Sequence, residues 1–327
     1  MMGKNLNGGK GCEIWFGLIL KQIREDDNKK KNVDVYLETA FMRRILICLL
    51  AISLASFTGG DRKYKPGIPT EFANIPGGTF TLGPDTSKIT LNAFYISKFE
   101  VSNRQYREFF SEVSQKMTTA EKERIACDTT GWSREFPGAG PMNQHYYSHP
   151  AYDHYPVVNI SYEGAEAYCQ WLQEKIQEKN PRYVIVVRLP SREEWIWAAM
   201  GGRSQAMFPW GNYYLRNKKG EPMCNFKKVN DGSIYRNRQT GKPEIAEFKG
   251  AGDTKYYTAT VKSFIPNDYG LYNMCGNAAE MVEEKGKAAG GSWNDFGGDI
   301  HIRAEANYSM SSPTVGFRPL IVVKEKK

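Results

Sequence analysis

The chain has 327 residues, 41% of them hydrophobic and 13% aromatic, which suits a packed core and argues against global disorder. Its formal net charge is +8, yet lysine and arginine are interspersed with acids instead of forming a stripe, which argues against a nucleic-acid partner. The length allows one large domain or two small ones.

Residues 1–41 are polar and rich in lysine and asparagine, without a coherent period. Met42-Arg43-Arg44 then opens a basic start, followed by the apolar run Ile45–Leu54 and the small-residue exit Ala55–Gly60. Residues 42–60 have the pattern of a secretory signal peptide. We expect translation to begin at Met42, with residues 1–41 a mis-assigned or disordered extension. The rival reading is a membrane anchor with a short cytoplasmic arm. The apolar run is shorter than the roughly 20 residues of a spanning helix. The expected product is therefore exported (periplasmic, outer-membrane-associated or secreted) and does not span a membrane once the signal is cleaved. Cys48 lies inside the apolar run instead of directly after it, so lipidation has little support. Cleavage near Ala55 leaves Cys127, Cys169, Cys224 and Cys275. Export permits disulfides, the three possible full pairings stay open, and no Cys-x-x-Cys spacing suggests zinc. Cys169 falls on an expected helix face as a small buried hydrophobe.

Residues 61–71, with Pro66 and Pro69, read as an exposed lead-in. Ile75–Gly83 reads as a strand around a Pro76-Gly77-Gly78 turn, and Leu91–Glu100 as a second strand. Ser102 or Asn103 caps a helix from Arg104 to Phe110 or beyond. Residues 127–156 read as a long aromatic loop. A helix follows Ser161, with Ala165, Tyr168, Cys169 and Leu172 on one face. Val184–Leu189 reads as a buried strand ended by Pro190. Ser191–Glu194 is a capping box leading into Trp195–Met200. Beyond Gly201 the pattern dissolves into loops and short strands. The expected architecture is one α+β domain over residues 72–323, with much irregular backbone. Its densest feature is Gly270–Glu280, then Gly290-Gly291-Ser292-Trp293 and a closing Gly316-Phe317-Arg318. Such a run has no helical or strand period, so backbone geometry, polar contacts or an ion must hold it.

These pieces, in this order, resemble the formylglycine-generating enzyme (sulfatase-modifying factor) family, whose fold is C-type-lectin-like. The resemblance rests on Ile75–Phe80, Tyr155–Tyr162, Arg188–Trp195, Phe208–Asn212, Gly270–Glu280, Gly290–Trp293 and Gly316–Arg318, in collinear order over about residues 72–322. The stretch from His149 to Val158 is similar to a Bacteroidetes branch that includes gliding-motility and type IX secretion lipoproteins. Family members oxidise a sulfatase cysteine to formylglycine with a copper-holding cysteine pair. That pair lies between Gly-Gly-Ser-Trp and Gly-Phe-Arg, and residues 294–315 here contain no cysteine. Asp299 and Ala304 fall near the two positions, and neither side chain replaces a thiolate. No copper is expected, and the formylglycine activity is inferred absent.

Calcium is what the resemblance still implies. One family site maps onto Asn273, Gly276, Ala278 and Glu280, a loop of carbonyls plus one carboxylate that suits a hard cation. A second maps onto Asn225 and Phe226, with Asp253 and Lys255 beyond an insertion. Read without the resemblance, Asn273 is a turn residue and Glu280 a surface or capping carboxylate. Ala279 and Met281 stand where the family places tryptophans. His145, His149 and His154 lack ligand spacing and read as packing. Asp299, His301, Arg303 and Glu305 alternate, as on one strand face, and fall where the family's substrate groove lies. The leading expectation is a non-catalytic binding or cell-envelope assembly protein with a protein, peptide or glycan partner. The alternative is an enzyme of altered chemistry on Asp299, His301 and Glu305, or a formylglycine-generating-type oxidase.

Overall fold

A computed structural model describes residues 65–83, 87–227, 234–236, 239–241, 243–245 and 257–326. Every helix and strand among them belongs to the unit Pro66–Lys327. The signal-peptide reading of residues 42–60 lies outside the described residues.

The first sheet has four strands in the order β1 (Phe72–Ile75), β4 (Phe94–Ser97), β12 (Leu320–Glu325), β5 (Tyr183–Arg188), all antiparallel. The C-terminal strand thus lies between the N-terminal hairpin and a strand from mid-chain, closing the unit. β2 (Gly78–Phe80) and β3 (Ile89–Leu91) form a ribbon between β1 and β4 in the chain. Ala73, Ile75, Phe94 and Ile96 alternate into the core with strand periodicity. β5 alternates too: Tyr183, Ile185 and Val187 are buried, whereas Val184 is 40% exposed. It is therefore a half-buried strand, where an all-buried one was expected from its apolar run.

α1 (Asn103–Val113) starts at a complete capping box of Ser102 and Gln105 and buries Tyr106 and Phe109. α2 (Thr119–Ile125) comes next. The expected aromatic loop over 127–156 instead holds two short helices, α3 (Gly131–Glu135) and α4 (Gly140–His145), and a 3₁₀ turn, Pro150–Tyr152. Their five and six residues are too few for a readable apolar period, and neither has a side-chain cap. They fold because Trp132, Met142 and Tyr146 pack with Trp293 and Ala278 into a separate aromatic core. α5 (Tyr162–Lys179) is capped by Ser161 and lies on β5, burying Ala165, Tyr168, Cys169 and Ile176.

α6 (Arg192–Met200) is the central helix. Trp195, Ile196, Ala198, Ala199 and Met200 are all buried, so it has little polar face. Its ends are well defined: the Ser191 hydroxyl accepts from the Glu194 amide (3.2 Å), the Glu194 carboxylate accepts from the Ser191 amide (2.8 Å), and Gly201 closes it at φ +60°. A two-stranded ribbon, β6 (Ile234–Arg236) and β7 (Pro243–Ile245), comes after it in the chain. The second four-stranded sheet has the order β10 (Glu305–Asn307), β9 (Lys287–Ala289), β8 (Ala279–Met281), β11 (Val315–Gly316), with β11 and β8 parallel. Much of what joins these elements is irregular backbone.

Ser191→Ala removes the hydroxyl half of the α6 capping box. We expect a loss of about 1 kcal/mol in urea unfolding with no change in the folded far-UV spectrum.

Candidate functional site

The Gly270–Glu280 run is built on left-handed backbone. Gly270, Asn273, Gly276 and Asn277 have φ of +77°, +52°, +72° and +64°. Asparagine tolerates this region better than other L-residues, and here both side chains are used to hold it. Asn277 Oδ1 accepts from the Ala259 amide (2.6 Å) and from Asn225 Nδ2 (3.3 Å), and its Nδ2 donates to Glu100 Oε1 (2.7 Å). Asn273 Nδ2 donates to Glu100 Oε2 (2.8 Å) and toward the Val261 carbonyl (3.3 Å). At Gly276 a Cβ would lie 2.2 Å from the Asn225 carbonyl oxygen, so only glycine permits this approach.

Glu100 sits just before the α1 cap and is 1% exposed. Burial, then the neighbouring Glu280 charge, push its carboxyl up to about 8, against Arg318 and the two asparagine amides. Glu280, on β8, is equally buried and is held by Arg318. The guanidinium donates to both carboxylate oxygens, and Trp195 Nε1 donates to Oε2 at 2.7 Å. Arg318 is fully buried and also donates to the carbonyls of Ser97 (3.1 Å) and Tyr272 (2.8 Å). Glu280 thus takes the guanidinium, while Glu100 is held by the two asparagine amides.

The expected groove residues are placed differently. Residues 299–304 are turns, not a strand, and only Glu305 lies in one, β10. The Ala304 amide bonds the His301 carbonyl (2.8 Å) and the Arg303 amide bonds His301 Nδ1 (3.2 Å), local bonds that break the alternation. Arg303 turns inward to the carbonyls of Leu82 (3.1 Å) and Ala206 (2.8 Å). Glu305 pairs with Arg192 and Lys287. His301 has its pKa lowered by burial and then by Arg303. Asp299, at the start of these turns, bonds the Phe296 carbonyl through its own amide. His149 Nδ1 accepts from the Ala151 amide, a capping role.

Residues 63–323 match the family described as the sulfatase-modifying factor enzyme 1-like domain. The chain belongs to this family. It is 28% identical over 284 residues to the formylglycine-generating enzyme of Bos taurus, covering 77% of this chain and 64% of that protein. It is 30% identical over 248 residues to the formylglycine-generating enzyme of Thermomonospora curvata, covering 64% and 70%. It is 26% identical over 305 residues to the inactive C-alpha-formylglycine-generating enzyme 2 of Bos taurus, covering 77% and 88%. The chain thus spans just under two thirds of the bovine formylglycine-generating enzyme. Solved structures of PvdO from Pseudomonas aeruginosa (TM-score 0.52, 21% identity) and of CarF (TM-score 0.51, 19% identity) share the fold, each covering 79% of this chain and 99% of the other.

For a member of the sulfatase-modifying factor family, the donor set for copper does not fit, because residues 294–315 hold no cysteine. Among the described residues the thiols lie elsewhere: Cys169, Cys224 and Cys275 are buried and Cys127 is half-buried. Burial raises the pKa of Cys127, Cys169 and Cys275, the opposite of an activated thiol. At the implied calcium loop, Asn273 Oδ1 is a buried acceptor with no hydrogen-bond partner, as a ligating oxygen would be. The acid that reaches Asn273 is Glu100, while the Glu280 carboxylate is taken up by Arg318 and Trp195. Of the second set, Asn225 abuts the loop through Asn277, and Phe226 is buried beside Gly297. Asp253 and Lys255 lie outside the described residues. Sequence reasoning missed Glu100 and Asn277. The available signal was an acid directly before a capping box, in an otherwise uncharged Phe99–Asn103.

Arg318→Met strands Glu280 in the core. We expect a loss of about 3–5 kcal/mol in chemical unfolding, and a smaller loss when Glu280→Gln is added to it.

Proposed function

We propose that this chain is an exported, non-catalytic member of the sulfatase-modifying factor family that works by binding a partner. The observation that carries the reading is the thiol-free interval between Trp293 and Gly316. A cysteine oxidation that proceeds through a thiolate pair has no thiolate there. Two further facts support it. Arg303 and Glu305 are tied to Ala206, Leu82, Arg192 and Lys287, so they are occupied in holding the segment together. The family also contains proteins named as inactive.

The deciding assay incubates the protein with copper and a peptide carrying Cys-x-Pro-x-Arg, and follows aldehyde formation by mass spectrometry. No aldehyde is expected; turnover of the peptide would sink the non-catalytic reading.

We also propose calcium at the Asn273 loop, with Asn273 Oδ1 and the carbonyls of Gly276 and Ala278 as ligands. The unpartnered Asn273 Oδ1 supplies a hard oxygen donor of the kind such an ion takes. Calcium binding only the folded state raises its stability, by about 2.7 kcal/mol at a hundred times Kd. The midpoint of thermal unfolding is expected to rise with calcium over chelator, and Asn273→Ala should abolish that rise. An identical midpoint with calcium and with chelator would exclude the ion.

A further inference from the structure

Beside the start of the 294–299 segment lies an open pocket of about 890 Å³, a volume typical of a ligand site. Leu215 and Phe226 form its floor against Gly297. Its walls carry Tyr213 and Tyr214, which are 74% and 72% exposed, and the cations of Arg216 and Lys218. Large aromatics this exposed on a loop, where burial would be worth about 2 kcal/mol each, point to a use in binding.

The platform is pre-formed. Trp210 stacks on Phe208 at 5.0 Å with an interplanar angle of 6°. Its Nε1 donates to the Tyr214 carbonyl (2.9 Å) and to Asn212 Oδ1 (3.1 Å), which also accepts from the Tyr214 amide (2.9 Å). Arg203, paired with Asp268, donates to the Trp210 carbonyl (3.0 Å). Tyrosine on such a frame gives contact area with little ordering cost.

We propose that this pocket binds an anionic glycan, a chain of sugars bearing carboxylate or sulfate groups. The inference rests on the binding-protein reading above. The tyrosine rings would take the C–H faces of the sugars, and Arg216 and Lys218 the acidic substituents. Among the described residues no aspartate or glutamate lines the pocket, and the nearby Glu221 is held by Asn217 Nδ2 (2.7 Å). A third cation, Lys227, stands over Phe296 at 5.2 Å, extending the positive rim toward the 294–299 segment. An acidic peptide is the less favoured occupant, because the loop's backbone is spent on itself. The Met223 amide bonds the Leu215 carbonyl (2.9 Å) and the Asn217 amide bonds the Glu221 carbonyl (2.9 Å), so these groups offer no strand edge for a peptide to extend. Ring faces and cations remain as the recognition chemistry, Arg216 giving only its Nη1 to the loop, at the Gly220 carbonyl (2.7 Å).

The test is titration calorimetry of the full chain with two anionic probes, oligogalacturonate and a heparin-type sulfated oligosaccharide. A neutral cello-oligosaccharide and poly-glutamate serve as controls. We expect saturable binding of at least one anionic glycan and none of the neutral one. Tyr213→Ala/Tyr214→Ala and, separately, Arg216→Gln/Lys218→Gln should each weaken it about tenfold or more. The four side chains are exposed or half-exposed, so an unchanged unfolding midpoint certifies each variant's fold. The proposal is overturned if neither anionic glycan binds. It is also overturned if poly-glutamate binds as well as the glycan and the tyrosine variant keeps full affinity, which would mark a generic basic surface or a peptide site. Failure here with no aldehyde formed in the peptide assay removes the glycan and leaves the non-catalytic reading standing. Aldehyde formation removes that reading whatever the glycans do.

Discussion

The pairing of Arg318 with Glu280 is the constraint on which the described unit depends. Arg318 follows Phe317 into the core just before β12, and Glu280 is the middle residue of β8. One guanidinium reaches the second sheet through Glu280, the first through the Ser97 carbonyl, and the irregular run through the Tyr272 carbonyl. Burying two charges takes several kcal/mol per ion, so the pair contributes little net stability. Its value is positional. A planar fork bonded through all three of its nitrogens restricts how two sheets that otherwise meet through irregular backbone can be placed. Trp195, from the central helix α6, donates to the same carboxylate and fixes the helix to that point.

Around this pair the polar interior continues through Glu100 to Asn273 and Asn277. It replaces the repeating apolar faces that a regular sheet or helix would supply. The left-handed backbone at both asparagines is held by their side chains, Asn277 through both ends of its amide and Asn273 through its Nδ2. The structure has the fold of its family, and the cysteine-free segment 299–304 within it runs as turns. Fold and chemistry separate cleanly in such a case, since the first lies in backbone and buried charge and the second in a few replaceable side chains.

Much of this was legible in the chain. The caps at Ser102, Ser161 and Ser191 were readable because a cap is a local event between residues three apart. The collinear motifs located the irregular run. Three things were not readable. Glu100 meets Asn273 and Asn277 across 173 and 177 positions, a contact that no local pattern encodes. The alternation from Asp299 to Glu305 has the period of a strand, but His301 and Arg303 satisfy their backbone locally and turn the chain. The short helices α3 and α4 owe their existence to Trp132, Tyr146 and Trp293 packing together, a tertiary effect that overrides weak local preference.

Asn225 donates from its side chain to the Tyr257 carbonyl at 2.8 Å, and these residues are 32 positions apart. The chain therefore leaves and rejoins the polar interior at nearly one place. Closure entropy grows only slowly with loop length, by about 0.6 kcal/mol per doubling. Once both ends are tied at that point, the number of residues between them is almost decoupled from the stability of the rest. A change in the number of residues between these two tied ends therefore costs the rest of the unit little.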